Sequence, residues 1–356
     1  MIDVRFVGAE GNYQSIETQA VRIHKHLQKI GGDRVQSHLS LIPQDYFRRR
    51  GLFRRVPVDA IEDLLRGANV LVVVKSSLFH GLLDAARVLK DLCGRHEVVL
   101  VSNPCDGPGA DGGDTTDVFS EEVADHVFAL SRAQREALEK KRAAGVHLVG
   151  HASRLERPAR IEHRDRVRKV IWENPVHHNP RYDPRKAGMP RERYQELEDA
   201  IKALLARHGA ELVFIDAWRE TQSYEEWEAM MLDSDIAIEC KALGSSYVDY
   251  QSQKPAVKVL NYMSLGLPVV CDSLPAYRDL GEDERELLFA DTQEEWIAEL
   301  GRLLDDAELR ARLGEAARRA AEPWSIDNVA GRYMDLFESM TGARKASRTR
   351  ERAGAN

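Results

Sequence analysis

Short runs of β-branched residues alternate along this chain with longer stretches in which apolar positions recur every three to four residues. The first pattern suits strands buried on both faces, and the second suits helices that lie across them. In the first half it predicts strands over 3–7, 35–42, 70–74, 98–102, 126–130 and 147–150. Helices are predicted between them over 16–30, 58–65, 82–93 and 133–144. Gly31-Gly32 stops the first of these, and Ser131 is placed as an N-cap for the last. The second half restarts the pattern, with strands over 167–172, 211–215, 236–239, 269–271 and 287–289. Its predicted helices run over 191–208, 224–232, 256–264, 293–304 and 307–320, and a last amphipathic helix, 326–340, follows Pro323-Trp324.

Between the halves lies a polar, aperiodic stretch, 152–165, interrupted by Pro158. It reads as an interdomain linker. The expected organisation is two doubly wound α/β domains that meet at a cleft, 1–160 and 161–325. A closing helix over 326–342 packs back on the first domain. The tail 343–356 carries five basic residues, one acid and no apolar pattern, and is expected to be disordered.

Composition narrows the function classes. The chain has 356 residues, long enough for two domains, and its 43% apolar content excludes a disordered chain. A net charge of −7 excludes a bulk nucleic-acid binder. Cys93, Cys105, Cys240 and Cys271 never form a C-x-x-C pair, which excludes a thiolate zinc site or a disulfide framework and fits a reducing compartment. The start, MIDVRFVG, reads as a strand rather than a signal peptide, and no apolar run approaches the roughly 20 residues of a membrane span. A cytoplasmic location is therefore expected. Neither a phosphate-binding P-loop nor a G-x-G-x-x-G fingerprint follows the first strand, and the H-E-x-x-H and G-x-S-x-G signatures are missing. Asp233-Ser-Asp235 reads as turn chemistry. Asp111-Gly-Gly-Asp114 reads as a Gly-rich loop without a third metal ligand, and His177-His178 as an exposed loop pair. No metal site is expected.

The sharpest signal is the segment 250–280. Lys254 and Lys258 are four residues apart, on one face of the start of a helix, with Pro255 in its first turn. Two ammonium groups and a helix N-terminus together make an anion clamp suited to a diphosphate; the alternative is a solvated helix face. Gly266 ends the helix, and Leu267-Pro268-Val269-Val270 leads into a buried strand, so Gly266 is read as placing the helix tightly against the sheet.

In these residues the chain resembles the GT-B glycosyltransferases, especially the family 4-like group, also called group 1. One subgroup has two cationic residues four apart at the start of the helix that leads to a G-x-P-V-V element, matched here by Lys254, Lys258 and 266–270. The stretches 124–134, 232–239, 287–296 and 305–318 also resemble family segments in the same order. The resemblance implies a GT-B-like fold, α/β, with two doubly wound Rossmann-type domains facing across a cleft. It implies transfer of a sugar from a UDP- or GDP-sugar to a hydroxyl acceptor, with no tightly bound cofactor and no obligatory metal. A role in cell-surface polysaccharide or glycoconjugate synthesis would fit. By spacing from Gly266, the two glutamates that many retaining members carry are replaced by Gln253 and Asn261, although Asn261 retains a side chain able to bind a ribose hydroxyl.

On the same resemblance Trp218 is placed to stack on the donor base and Asn174 to stand at the cleft edge. Asp106, Glu10 and His151 are the candidates for an inverting enzyme's base. Five arginines, Arg48, Arg49, Arg50, Arg54 and Arg55, are interleaved with Phe47, Leu52 and Phe53. They form an acceptor or membrane patch for an anionic glycan, a lipid-linked acceptor or the inner face of the plasma membrane, or else a solvated loop. Two other classes stay open: a nucleotide-sugar epimerase or hydrolase of the same fold, and a catalytically silent nucleotide-sugar-binding subunit.

Overall fold

Val70–Val74, four valines and a leucine, is buried at every position, as a strand covered by helices on both faces must be. The structure, a computed structural model, describes residues 1–9, 16–42, 58–75, 83–105, 119–142, 145–155, 161–173, 175–178, 190–215, 224–241, 243 and 255–354. Its strands are β1 Ile2–Ala9, β2 Val35–Ile42, β3 Val70–Val74, β4 Val99–Asn103, β5 His126–Ala129, β6 Val146–Leu148, β7 Lys169–Glu173, β8 Glu211–Ile215, β9 Ile236–Glu239, β10 Val269–Cys271 and β11 Leu288–Phe289. Its α-helices are α1 Ile23–Ile30, α2 Val58–Leu65, α3 Leu83–Arg95, α4 Arg132–Glu139, α5 Arg191–His208, α6 Tyr224–Leu232, α7 Val257–Leu265, α8 Pro275–Arg278, α9 Gln293–Asp305, α10 Ala307–Ala321 and α11 Ile326–Gly354. They belong to two units, residues 1–152 with 326–356, and residues 153–325.

In the first unit the strands form a parallel sheet in the order β2-β1-β3-β4-β5-β6. One face packs on α1 and α11, with Phe6, Phe128, Tyr333 and Phe337 at the centre of that core. The other face packs on residues of α2, α3 and the π-helical turn Phe119–Val123. The predicted helix over 16–30 begins with a second π-helical segment, Glu17–Arg22, which buries Thr18 and Gln19. Gln19 there accepts a 2.9 Å hydrogen bond from Tyr333 Oη, and Asn103 Nδ2 donates to Tyr333 Oη at 2.9 Å. Ser131 caps α4 as expected, its hydroxyl accepting from Gln134 N.

The second unit holds a parallel sheet in the order β11-β10-β9-β7-β8. One face packs on α7 and the end of α10, the other on α5, α9 and the start of α10. Two parallel sheets, each covered by helices on both faces, constitute the doubly wound α/β architecture.

Two expectations differ from the structure. The second unit starts at Ser153 rather than after Arg160. The described part of the stretch that composition marks as a linker is tied down near its start. Ser153 N donates to the Trp324 carbonyl at 2.9 Å, Arg154 N to Asn261 Oδ1 at 2.9 Å, and Leu155 and Ile161 are buried in the core around α7. The tail, expected to be disordered, continues α11 as far as Gly354. Alanine, arginine and lysine are strong helix formers, and basic residues in a last turn complement the helix dipole, so a segment without an apolar face still extends an anchored helix. Among the described residues no helix is long and apolar enough to cross a membrane.

Candidate active site

The second sheet reverses its strand order at β7: β8 lies on one side, and β9, β10 and β11 on the other. In open α/β sheets, ligands bind at the carboxyl ends of the strands at such a reversal. β7 and β9 are in register there, Ile171 opposite Ala237 and Trp172 opposite Ile238. Each of these apolar strands ends on an acid, Glu173 in KVIWE and Glu239 in IAIE, and the register sets the two ends side by side. Both are buried.

Lys258, in the first turn of α7, joins them. Its Nζ donates to the Glu173 carbonyl at 2.6 Å and lies 3.3 Å from Glu239 Oε1. Lys241 Nζ lies 3.6 Å from the same oxygen and 5.5 Å from the centre of the Tyr277 ring. Tyr262 accepts from Glu173 N at 3.1 Å, and Asp272 accepts from Lys241 N. Burial pushes the Glu173 carboxyl up, against the lowering influence of Lys258 and Arg154. Burial also pushes the Lys241 ammonium down, against the pull of Glu239. At this edge burial thus works against the charged forms of Glu173 and Lys241 while their opposite-charge neighbours favour them, in a setting dry enough for each charge to act strongly on its neighbours.

The other predicted site residues are dispersed. Gly266 is the left-handed C-cap of α7, at φ +82°, nine residues and roughly 13 Å along the helix from its start. It packs against Gly314 of α10 rather than against the sheet, so it shapes the unit and lies away from the carboxyl edge. Asn261 is fully buried, and its Oδ1 is taken by Arg154 N at 2.9 Å and Ser153 Oγ at 3.4 Å. That oxygen fastens the start of the unit instead of facing a ribose. His151 is buried in the first unit, with Nδ1 donating to the Ala152 carbonyl at 2.9 Å. Lys254, Trp218, Asn174, Glu10, Asp106, Arg48, Arg49, Arg50, Arg54 and Arg55 lie outside the described residues, as does Asp111-Gly-Gly-Asp114.

His177 is buried, contrary to the exposed pair expected, and stacks on Tyr194 with ring centres 5.6 Å apart. Its Nε2 and that of His178 both donate to Glu198 Oε2, at 2.7 and 2.8 Å, while Lys202 Nζ donates to Oε1 at 2.6 Å. Two imidazoles and a carboxylate are ligand types that suit zinc, but three donors already satisfy this carboxylate. Burial would raise the Glu198 pKa; the bonds from His177, Lys202 and His178 outweigh it and hold the carboxyl at about 2. A depressed carboxyl pKa stabilises the fold above the unfolded-chain value of about 4.3 and loses that contribution as pH falls towards 2. The melting temperature of the native protein should therefore fall more steeply between pH 5 and pH 2.5 than that of Glu198→Gln. Parallel curves would show that the cluster carries no such linkage.

Sequence reasoning overlooked Glu173, Glu239 and Lys241. The available signal was an acid closing an otherwise apolar strand, a placement that costs desolvation and so marks functional edges.

The glycosyl transferase-like family matches residues 191–335 of this chain. No curated protein matches it by sequence. Among solved structures, Anabaena HepE in complex with UDP and glucose is similar at 12% identity and a TM-score of 0.63, over 95% of this chain and 100% of that one. Sucrose-phosphate synthase from Thermosynechococcus elongatus is similar at 12% identity and a TM-score of 0.64, over 96% and 100%. The lipopolysaccharide outer core galactosyltransferase WaaB, in its apo form, is similar at 10% identity and a TM-score of 0.60, over 95% and 100%. These likenesses are of fold, and the fold is GT-B. Two doubly wound parallel sheets give the chain the GT-B fold, and its residues 191–335, from α5 into α11, match the glycosyl transferase-like family.

Proposed function

We propose that the donor is a UDP- or GDP-sugar, bound at the carboxyl edge of β7 and β9, and that the acceptor is a hydroxyl on an anionic glycan or lipid-linked chain in polysaccharide or glycoconjugate synthesis. The observation that carries this reading is Lys258, held within the first turn of α7 at the strand-order reversal by the Glu173 carbonyl and Glu239. As the glycosidic bond to the diphosphate breaks, negative charge grows on the departing nucleoside diphosphate. An ammonium fixed at a helix N-terminus stabilises that charge without a metal ion. Lys254, four residues earlier in sequence, adds a second cation to the same task.

The acceptor side is assigned to the amino-terminal unit and its arginine run, Arg48 to Arg55. In an inverting reaction, Asp106, Glu10 or His151 takes the acceptor proton. Anabaena HepE, similar in fold, was solved with UDP-glucose, which supports a uridine nucleotide as the first donor to try. Thermal unfolding with a panel of nucleotide sugars tests the reading. At a concentration near 100 Kd the true donor should stabilise the protein by about 2.7 kcal/mol. If no UDP- or GDP-sugar raises the melting temperature, the donor assignment is wrong.

A further inference from the structure

We propose that Glu239 reads the donor, its unpaired carboxylate oxygen accepting a hydrogen bond from a hydroxyl of the nucleotide sugar whose diphosphate Lys258 holds. This inference rests on the donor reading above. Glu239 ends β9 at the strand-order reversal and is only 1% exposed. Its two oxygens are used differently. Oε1 faces both ammonium groups, Lys258 at 3.3 Å and Lys241 at 3.6 Å, while Oε2 is buried and has no hydrogen-bond partner. A buried carboxylate oxygen without a partner is costly and uncommon in a folded protein. Such strain persists where another state of the protein satisfies it.

The chemistry of the missing partner follows from the charge. An ionised carboxylate only accepts hydrogen bonds, so it repels a phosphate and takes a hydroxyl. The neighbours support a hydroxyl-rich ligand. Tyr277 Oη is a second buried polar atom without a partner, and the Lys241 ammonium lies over the ring of that tyrosine. The remaining carboxylate near Lys241 is already used, since Asp272 accepts from Lys241 N and from Leu243 N at 3.4 Å. Glu239 and Tyr277 thus present one acceptor and one hydroxyl beside a cation pair, which fits the vicinal hydroxyls of a ribose or a transferred sugar.

The test compares Glu239→Gln with the native enzyme for binding of inorganic pyrophosphate, UDP and UDP-glucose, with GDP and GDP-mannose in parallel; Tyr277→Phe is measured alongside. Thermal unfolding first establishes that each variant is folded. In Glu239→Gln, affinity for the nucleotide sugar should drop about tenfold or more, while pyrophosphate binds as well as before or better. If the nucleoside diphosphate weakens equally, the hydroxyl belongs to the ribose; if only the nucleotide sugar weakens, it belongs to the sugar. Should Glu239→Gln fail to fold, Tyr277→Phe must show the same split, on a smaller scale. Unchanged affinity for every nucleotide overturns the proposal. So does a parallel loss of pyrophosphate binding, which would mean that Glu239 acts only by holding Lys258. A native protein that binds none of these nucleotides fails the donor reading itself, a result distinct from either.

Discussion

Replacing Lys258 with alanine should weaken nucleoside diphosphate binding by about 1.5–3 kcal/mol, the usual worth of a hydrogen bond to a charged group, or roughly 10- to 150-fold in Kd. The ammonium is fixed from two sides, by the Glu173 carbonyl at 2.6 Å and Glu239 Oε1 at 3.3 Å. It therefore meets an incoming diphosphate with little side-chain entropy left to lose. The same substitution leaves Glu239 with Lys241 as its remaining cation at this edge among the described residues, so a fall in melting temperature accompanies the loss of binding. Calorimetric titration below the variant's unfolding transition separates the two effects. An unchanged Kd for the diphosphate removes Lys258 from the donor site.

A second large effect is expected far from that edge. Gly314 lies inside α10, where the helix passes over the C-cap of α7. A methyl group there would intrude on the Gly266 carbonyl oxygen and stand 2.6 Å from His163 Nε2. Backbone on one side cannot yield as a flexible side chain would, so Gly314→Ala should cost about 3 kcal/mol, the upper end for overpacking. That amounts to roughly 6–12 °C in melting temperature for a unit of this size. Gly301 in α9 is the internal control, because nothing lies within 4 Å of its added methyl. Gly301→Ala should stabilise by about 0.5–1 kcal/mol through helix propensity. If both variants melt within a degree or two of the native protein, the close approach of α10 to α7 carries no energetic weight.

The strands and most helices were legible because doubly buried strands such as Val70–Val74 and Ile236–Glu239 leave little choice of pattern. The helix starting near Lys258 was equally clear at its C-terminal glycine, Gly266, whereas Pro255, expected in its first turn, precedes the Ala256 N-cap. What periodicity cannot report is how an irregular segment spends its hydrogen bonds. Residues 153–155 look like linker and prove to be anchored on Asn261 and Trp324. Nor can it foresee that Asn261 gives its oxygen to the backbone, or that His177 and His178 converge on Glu198 from 20 residues away. The acids at the reversal were missed for a related reason. Glu173 and Glu239 are 66 positions apart, and only the β7–β9 pairing brings them together.

The first unit is assembled from both ends of the polypeptide, 1–152 and 326–356. Its core needs Tyr333 and Phe337 from α11 to cover Phe6 and Phe128. During synthesis, the segment that emerges first is therefore the last to be completed. At about 5–20 residues per second, the ribosome takes roughly 10–40 s to pass from Ser153 to Met340. Throughout that interval the part of the amino-terminal sheet around Phe6 and Phe128 lacks its α11 cover, with α1 alone on that face, while residues 153–325 can close their own two cores. The nascent chain thus carries an exposed aromatic surface for most of its translation, and a chain truncated before Ile326 would keep that surface permanently, as a substrate for chaperones and proteases rather than as half of an enzyme.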